Sequence, residues 1–401
     1  MELDGEVGPG TRSSLSEIGR LFLKLGTIGF GGPAAHIALM EDEVVRRRRW
    51  LSREAFLDYV GATNLMPGPN STELAIEIGR DRGGWPGLLV AGVSFILPAA
   101  TIVTVVAWAY VRFGQLPASL AVLAGVKPVV IAIVAQALMR LGRTALRTVP
   151  LALLAAAAVV ATLVGVNELI VLLSAALVAM LASAITGPTR GAPVASSGAF
   201  LAGGFSWQSV TTLGAFMTAP VISLGGLFAT FLKIGAVLFG SGYVLLAFLR
   251  ADFVERLGWL TERQLLDAVA VGQVTPGPLF TTATFIGYVL AGVPGAIVAT
   301  IGIFLPAFVF VAISGPLIPR LRRSRVAGAG LDGVNAASLA LMAVVTWQLG
   351  RAALVDVSSA FIAVASATLL AMRRVNSAWL VLAGGLAGVA VAALQIGRAH
   401  V

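Results

Sequence analysis

The chain has 401 residues, of which 58% are hydrophobic and only 12% are charged, and its formal net charge is +9. A soluble domain carries about a quarter charged residues, so the composition indicates an integral membrane protein. Most basic residues lie in short clusters between apolar runs, as in cytoplasmic loops, which argues against nucleic acid as a partner. Cysteine is absent and the only histidines are His36 and His400, so we expect no disulfide, no metal centre and no cofactor.

The first fourteen residues, 1–14, form a polar tail that lacks the pattern of a cleavable signal peptide. A first membrane repeat is predicted over 15–186. It contains "FLKLGTIGFGG" from Phe22, a run of arginines ending at Arg49, and "NLMPGPNST" from Asn64. Apolar runs of membrane-spanning length follow, and they predict helices because no ten-residue alternation typical of barrel strands is present.

The segment 187–222 is rich in Gly, Pro, Ser and Ala and is expected to connect the first repeat to a second, 223–401. The second repeat contains "FLKIGAVLFGS" from Phe231 and "QVTPGPLFT" from Gln273, each 209 positions after its first-half copy. After one deletion the offset becomes 208, and this long register indicates an internal duplication. The predicted fold is an all-α membrane protein with roughly 10 to 13 membrane segments.

The arginine clusters indicate how the two repeats are oriented. If the first Pro-Gly-Pro segment enters and leaves the membrane on the same side, both first-half clusters lie on that side. The second-half clusters reach the same side only if that repeat is inserted upside down, so we predict an inverted repeat. A parallel duplication is the alternative. The clusters that decide this are Arg46–Arg49; Arg140, Arg143 and Arg147; Arg322, Arg323 and Arg325; and Arg373 and Arg374.

Proline and glycine break helices, and backbone groups freed within the membrane must be satisfied by protein or by water. The two Pro-Gly-Pro segments and "FGGPAAH" from Phe30 are therefore predicted to be breaks that line a cavity. In inverted-repeat transporters such half-helix N-termini meet near the midplane and present a positive dipole end to an anion. Kinks that merely permit helix packing are the alternative.

Charges within apolar segments point to function because they are costly there. Lys24, its repeat partner Lys233, and Lys127 are candidates for substrate contact, although a lysine can also snorkel to the interface or sit at a helix start. Glu73 is the best candidate for a titratable coupling group. Glu77 and Arg80 follow at helical spacing, and they could instead simply pair with each other.

These motifs together resemble the chromate transporter family, in the long form in which two homologous halves are fused. The residues that carry the resemblance are "FGGP" at Phe30–Pro33, "MPGPN" at Met66–Asn70, the basic stretch ending in "RRWLS", and the second-half "FLKIG" and "TPGP". The resemblance covers nearly the whole chain. It implies a multi-pass bacterial inner-membrane protein that exports chromate, with halves of opposed orientation.

The expected mechanism is alternating access, in which a tetrahedral dianion docks between the half-helix termini of both repeats. Sulfate is an alternative substrate, a homodimer is compatible with the sequence, and a membrane-embedded lipid phosphatase is a rival function with few suitable residues. The residues expected to bind substrate are Lys24, Gly31, Gly32, Pro33, His36, Asn64, Pro67, Gly68, Pro69, Asn70, Ser71, Thr72, Lys127, Lys233, Thr275, Pro276, Gly277, Pro278, Thr281 and Thr282.

Overall fold

The computed structural model describes residues 13–30, 32–114, 116–185, 222–239, 242–314, 324–372 and 377–399. Nearly all of the predicted tail and connection lie outside these residues, as do Gly31 and the four arginines 322, 323, 373 and 374. Every regular element that is described is helical. The all-α prediction is therefore confirmed for this part of the chain.

The first half contains helices α1 to α7. A π-helical turn, Asp42–Arg47, extends the second of them. Their bounds are α1 Leu15–Ile28, α2 Pro33–Glu41, α3 Arg53–Thr63, α4 Asn70–Phe113, α5 Pro117–Ala145, α6 Val149–Leu163 and α7 Glu168–Ile185.

The second half repeats this order in helices α8 to α14, again with a π-helical turn, Arg250–Arg256, after the second helix. Their bounds are α8 Leu224–Val237, α9 Leu245–Leu249, α10 Glu262–Val274, α11 Thr282–Ser314, α12 Arg325–Ala353, α13 Val357–Ala371 and α14 Ser377–Ala399. The helices α5 and α12, and likewise α6 and α13, match end to end at an offset of 208 residues, which confirms the duplication.

Hydroxyl side chains at repeat-equivalent positions start the equivalent helices of both halves. Ser14 accepts a hydrogen bond from the first turn of α1, as Ser223 does for α8. Ser52 and Thr261 do the same for α3 and α10. Such N-caps satisfy backbone donors that a helix leaves unpaired at its start, so the repeat preserves local start signals as well as apolar runs.

A single glycine bends α4 and α11 sharply. Gly84 has φ 63° and Gly292 has φ 62°, values that glycine adopts without strain. Past the first bend the chain folds back, so that Gly79 lies against Gly87, whereas a straight helix would hold residues eight apart about 12 Å from each other. The arm 70–83 is about 21 Å long and cannot cross a core of about 30 Å. These are the re-entrant helices that the sequence predicts.

The two halves run in opposite directions. Repeat partners α5 and α12 pack directly on each other. Gly142 near the end of α5 faces Leu339, whereas Ile131 farther back faces Gly350 near the end of α12. The two helices are thus antiparallel, and both are long and apolar enough to cross a membrane. Equivalent spans with opposite directions make an inverted repeat.

The long helices of the two halves interlock. α5 packs against α13 and α14, and α12 packs against α6 and α7. Gly125 on α5 lies against Gly384 and Gly388 on α14, because small residues let backbones approach closely where no hydrophobic effect drives association. By length and composition five described helices can span a membrane, and four shorter apolar helices accompany them.

Candidate functional site

The two Pro-Gly-Pro loops meet at the interface between the halves. The backbone N–H of Gly68 donates to the carbonyl of Leu238, and that of Gly277 donates to the carbonyl of Gly29, both at 2.8 Å. Leu238 and Gly29 are the residues that end α8 and α1. Each loop is therefore held by the end of the first helix of the opposite half.

Glycine is required in these loops for conformational reasons. Gly68 has φ 137° and Gly277 has φ 91°, where other residues are strained. The prolines on either side fix the neighbouring backbone and supply no N–H. The glycine amide is consequently the group of each Pro-Gly-Pro motif that crosses to the other half.

A cavity of about 750 Å³ opens beside this crossing. Its walls come from both halves: the start of α2 at Pro33, the start of α4 at Pro69, Asn70 and Ser71, the second loop at 278–280, and one face of each of α5 and α12. A helix N-terminus carries a partial positive charge and unpaired N–H groups. The start of α4 therefore favours an anion in the cavity.

Neutral polar side chains lie around the cavity wall. Asn70 donates to Asn64 at 2.6 Å, and Asn335 and Gln136 also line the wall. The hydroxyl of Ser338 is buried, lines the same wall, and has no hydrogen-bond partner among the described residues. A buried hydroxyl without a partner is costly, so Ser338 is available to a polar ligand.

Three arginines at the end of α5 line the same cavity: Arg140, Arg143 and Arg147. Arg147 pairs with Asp332 at 3.2 Å, whereas Arg140 and Arg143 form no ion pair within the described residues. From the sequence alone, these arginines indicated only the orientation of the repeats in the membrane. Arg140 and Arg143 are three residues apart on one helix face, and this spacing was the signal that they share a surface. Arg147 follows the end of α5 at Ala145.

The structure brings part of the predicted binding set together. The residues of that set that line the cavity are Pro33, Asn64, Pro69, Asn70, Ser71 and Pro278. The residues that build the breaks without lining it are Gly32, Pro67, Gly68, Thr72, Pro276 and Gly277. Gly32 precedes α2 with φ 80° and Pro33 is the first residue of that helix, as the sequence predicts.

Lys24 and Lys233 lie outside the cavity. Lys24 pairs with Glu43 at 2.6 Å, and Lys233 pairs with Asp252 at 2.5 Å. Both the lysines and their carboxylates are repeat partners at an offset of 209. Each pair ties the first helix of a half to its π-helical turn, and we assign neither lysine to the substrate.

His36 supports the break from behind the cavity wall. Its Nε2 lies 2.9 Å from the Gly29 carbonyl, and its Nδ1 lies 3.2 Å from the Ser71 hydroxyl. The carbonyl can only accept, so we assign the proton to Nε2 and let Nδ1 accept from Ser71. His36 thus joins the end of α1 to the start of α4.

The predicted threonine hydroxyls donate to their own backbone. Thr275 donates to Val271, Thr281 to Pro278 and Thr282 to Leu279, at 2.8 to 3.0 Å. None of the three lines the cavity. They stabilise the ends of the helices on either side of the second loop, and the predicted threonine cage around the substrate is not assembled in this state.

Glu73 lies in the first turn of α4 and is fully buried, and neither carboxylate oxygen has a hydrogen-bond partner among the described residues. It is close to Gly68, next to Ala307 of α11, and does not line the cavity. Glu77 lies 4.0 Å from Arg80, which also donates to the Val311 carbonyl at 2.6 Å. Glu73 is thus a titratable group held between the halves.

Lys127 lies in the N-terminal half of α5, away from the three arginines, and is paired with Asp267 at 3.0 Å. It borders a second cavity and not the one described above. Within the described residues there is no group of three or more His, Asp or Glu side chains arranged to hold a metal ion.

Broken helices from two inverted halves, meeting at a cavity with helix N-termini and arginines, define the class of inverted-repeat membrane transporters. Comparisons with known proteins agree. The family model described as "Chromate transporter" matches residues 16–187 and 225–389, and the chain belongs to that family.

Curated relatives cover nearly the whole chain. The "Chromate transport protein" of Cupriavidus metallidurans is 31% identical over an alignment of 401 positions, which covers 95% of this chain and 94% of that protein. The protein of the same name in Pseudomonas aeruginosa is 32% identical, over 92% of this chain and 90% of that one. No solved structure matches. Because the relatives are transporters, the phosphatase alternative is not retained.

Proposed function

We propose that this protein exports chromate from the bacterial cytoplasm across the inner membrane by alternating access. The observation that carries the proposal is the cavity of about 750 Å³, which both Pro-Gly-Pro loops border. It combines a helix N-terminus with two arginines that form no ion pair with any described residue. We choose chromate as the substrate because the relatives are named chromate transport proteins. Sulfate, a dianion of the same shape, is the competing substrate.

Binding begins at the arginines. Arg140 and Arg143 stand at the end of α5 and raise the local concentration of a dianion through their charge. Deeper in the cavity the start of α4, the amide of Asn70 and the hydroxyl of Ser338 provide neutral donors. Helix N-termini bind tetrahedral oxyanions in the same way in other proteins. The anion thus exchanges water for fixed donors without forming a buried charge pair.

The charge distribution and the membrane potential support the proposed outward direction. The cavity opens at the arginine end of α5, which the positive-inside rule assigns to the cytoplasm. Moving a dianion outward across an inside-negative potential of 100 mV releases about 4.6 kcal/mol, at about 2.3 kcal/mol per charge. This corresponds to an outward concentration gradient of about a thousandfold, so export needs no ATP.

Alternation follows from the repeat. If each half can adopt the conformation that the other half shows, the exchange closes the arginine-side cavity and opens an equivalent one on the opposite side. Glu73, buried between the halves, is the proposed coupling group. A proton on Glu73 removes a negative charge from the interior and thereby favours an anion there. When that proton leaves together with the dianion, one net negative charge moves outward and the release falls to about 2.3 kcal/mol per 100 mV.

The test is uptake of radiolabelled chromate and radiolabelled sulfate into everted membrane vesicles, with each anion as competitor of the other. Export appears as accumulation. Ser338→Ala should raise the half-saturating concentration, whereas Ser366→Ala, which changes a buried serine of α13 outside both cavities, should not. Absence of accumulation of either anion by inserted protein would refute the proposal. Sulfate accumulation without chromate accumulation would assign sulfate as the substrate.

A further inference from the structure

A second cavity of about 390 Å³ lies at the other end of α5. The large cavity contacts α5 between residues 133 and 145, and this one contacts it between residues 120 and 127. Since α5 spans the membrane, the two cavities belong to opposite sides. The polar residues that border the second cavity are Lys127, Glu262, Arg263, Asp356, Ser358 and Ser359.

Lys127 is neutralised inside the protein in this state. Its ammonium lies 3.0 Å from Asp267 Oδ1, and the Tyr110 hydroxyl donates to Asp267 Oδ2 at 2.9 Å. Lys127 is 9% exposed and Asp267 is 1% exposed. The three residues come from α5, α10 and α4, so the cluster joins both halves at the inner end of the second cavity.

The repeat relates this cluster to the open cavity. The partner of Lys127 is Asn335, and the partner of Ala124 is Asp332. Both partners line the large cavity, whereas Lys127 and Ala124 line the small one. The two cavities are therefore equivalent places in the two halves, one wide and one narrowed.

Helix packing shows the same difference. α10 packs against α5 and α14, whereas its partner α3 makes no comparable packing with α12 or α7 in the described part of the chain. The contact between α10 and α5 includes the pair Asp267–Lys127. The equivalent position in the other half, between α3 and α12, is an open space.

When α10 moves away from α5, Asp267 leaves Lys127 and the ammonium faces the widened cavity. A cation that loses its carboxylate at a partly buried site is stabilised by another anion. We propose that Lys127 is the release subsite, on which the transported oxyanion takes the place of Asp267 when the protein opens to the side opposite the arginines. This inference rests on the proposed transport function and adds the residue that holds the anion in the second state.

The test measures chromate exchange from each side. Right-side-out vesicles present the Lys127 side to external chromate, and everted vesicles present the arginine side. Asp267→Asn removes the internal competitor. It should lower the half-saturating chromate concentration on the Lys127 side by about tenfold, or about 1.4 kcal/mol, without lowering it on the arginine side. Adding Lys127→Gln to that variant should abolish the gain.

Asp252→Asn is the matched control, because Asp252 is also a buried carboxylate paired with a lysine, Lys233. It should not change the ratio between the two sides. An equal change on both sides in Asp267→Asn, or an unchanged value on the Lys127 side, would overturn the inference. If the unaltered protein exchanges no chromate from either side, the proposed function itself has failed.

A second measurement needs no substrate and covers the case in which Asp267→Asn folds poorly. The chain has no cysteine, so single cysteines report accessibility directly. Leu266→Cys, in the small cavity and 1% exposed, should react faster with a polar thiol reagent when Tyr110→Phe weakens the cluster, while Asn335→Cys in the large cavity should react more slowly. Rates that rise or fall together would refute the reciprocal arrangement.

Discussion

Replacing Gly277 with alanine should disable the crossing between the halves. Gly277 has φ 91°, where an L-residue costs about 1 to 2 kcal/mol. The added Cβ would also lie 2.5 Å from the Cβ of Ala99 and 3.2 Å from the Gly26 carbonyl, an overpacking that costs about 1 to 3 kcal/mol more. The total of about 2 to 5 kcal/mol reduces the population of the crossed loop at least about 30-fold.

Chromate uptake into everted vesicles measures the loss, and Gly165→Ala separates its two causes. Gly165 has φ 83° but open space around its Cβ position, so that variant carries only the conformational strain and should transport normally. Adding Ala99→Gly to Gly277→Ala removes the clash at a helix cost of about 1 kcal/mol and should restore part of the activity. If Gly277→Ala transports as well as Gly165→Ala, close contact at the crossing is not needed for function.

Three further outcomes are expected. Arg140→Gln should raise the half-saturating chromate concentration in everted vesicles and weaken its dependence on ionic strength. The reason is that exposed charges attract an anion over a long range that salt screens. Arg46→Gln, away from the cavity, should change neither quantity. Lys24→Gln should lower the melting temperature only slightly and leave chromate affinity unchanged, because Arg47 and Arg48 still pair with Glu43; Glu43→Gln should lower it more, because it removes the shared partner of all three cations. Glu73→Gln should remove the pH dependence of transport while leaving chromate binding measurable, and an unchanged pH profile would exclude Glu73 as the coupling group.

The breaks and the inverted duplication were predictable because their causes are local in sequence. Pro-Gly-Pro cannot continue a helix whatever surrounds it, so Asn70 had to begin a new one. The constant offset of about two hundred residues between the two halves can be recognised in the sequence without knowing the tertiary structure. The relative direction of the halves followed from where the arginines cluster, and the antiparallel packing of α5 on α12 confirms it.

Side-chain partners were predictable only in part. Lys24 resembled a substrate ligand when it was considered alone. However, Lys24 and Glu43 recur in the second half as Lys233 and Asp252 at one common offset. This recurrence of both members indicated a structural ion pair. The threonines of the second loop were expected to face the substrate, but a threonine hydroxyl readily donates to a carbonyl three or four residues earlier. Which arginines face the cavity depends on the rotation of α5, which no local pattern determines.

The halves share a backbone design but differ where an anion would touch them. On the arginine side the wall carries Ser71 and Ser338, and its cations at Arg140 and Arg143 have no carboxylate partner within the described residues. On the other side Lys127 is the inner cation and is already paired with Asp267. Arg263 also lines that cavity, and Glu262 at its border pairs with Arg250. This difference cannot change the final gradient, which the membrane potential sets. For the proposed export, it makes the arginine side the tighter one, because on the other side a dianion must displace Asp267 from Lys127.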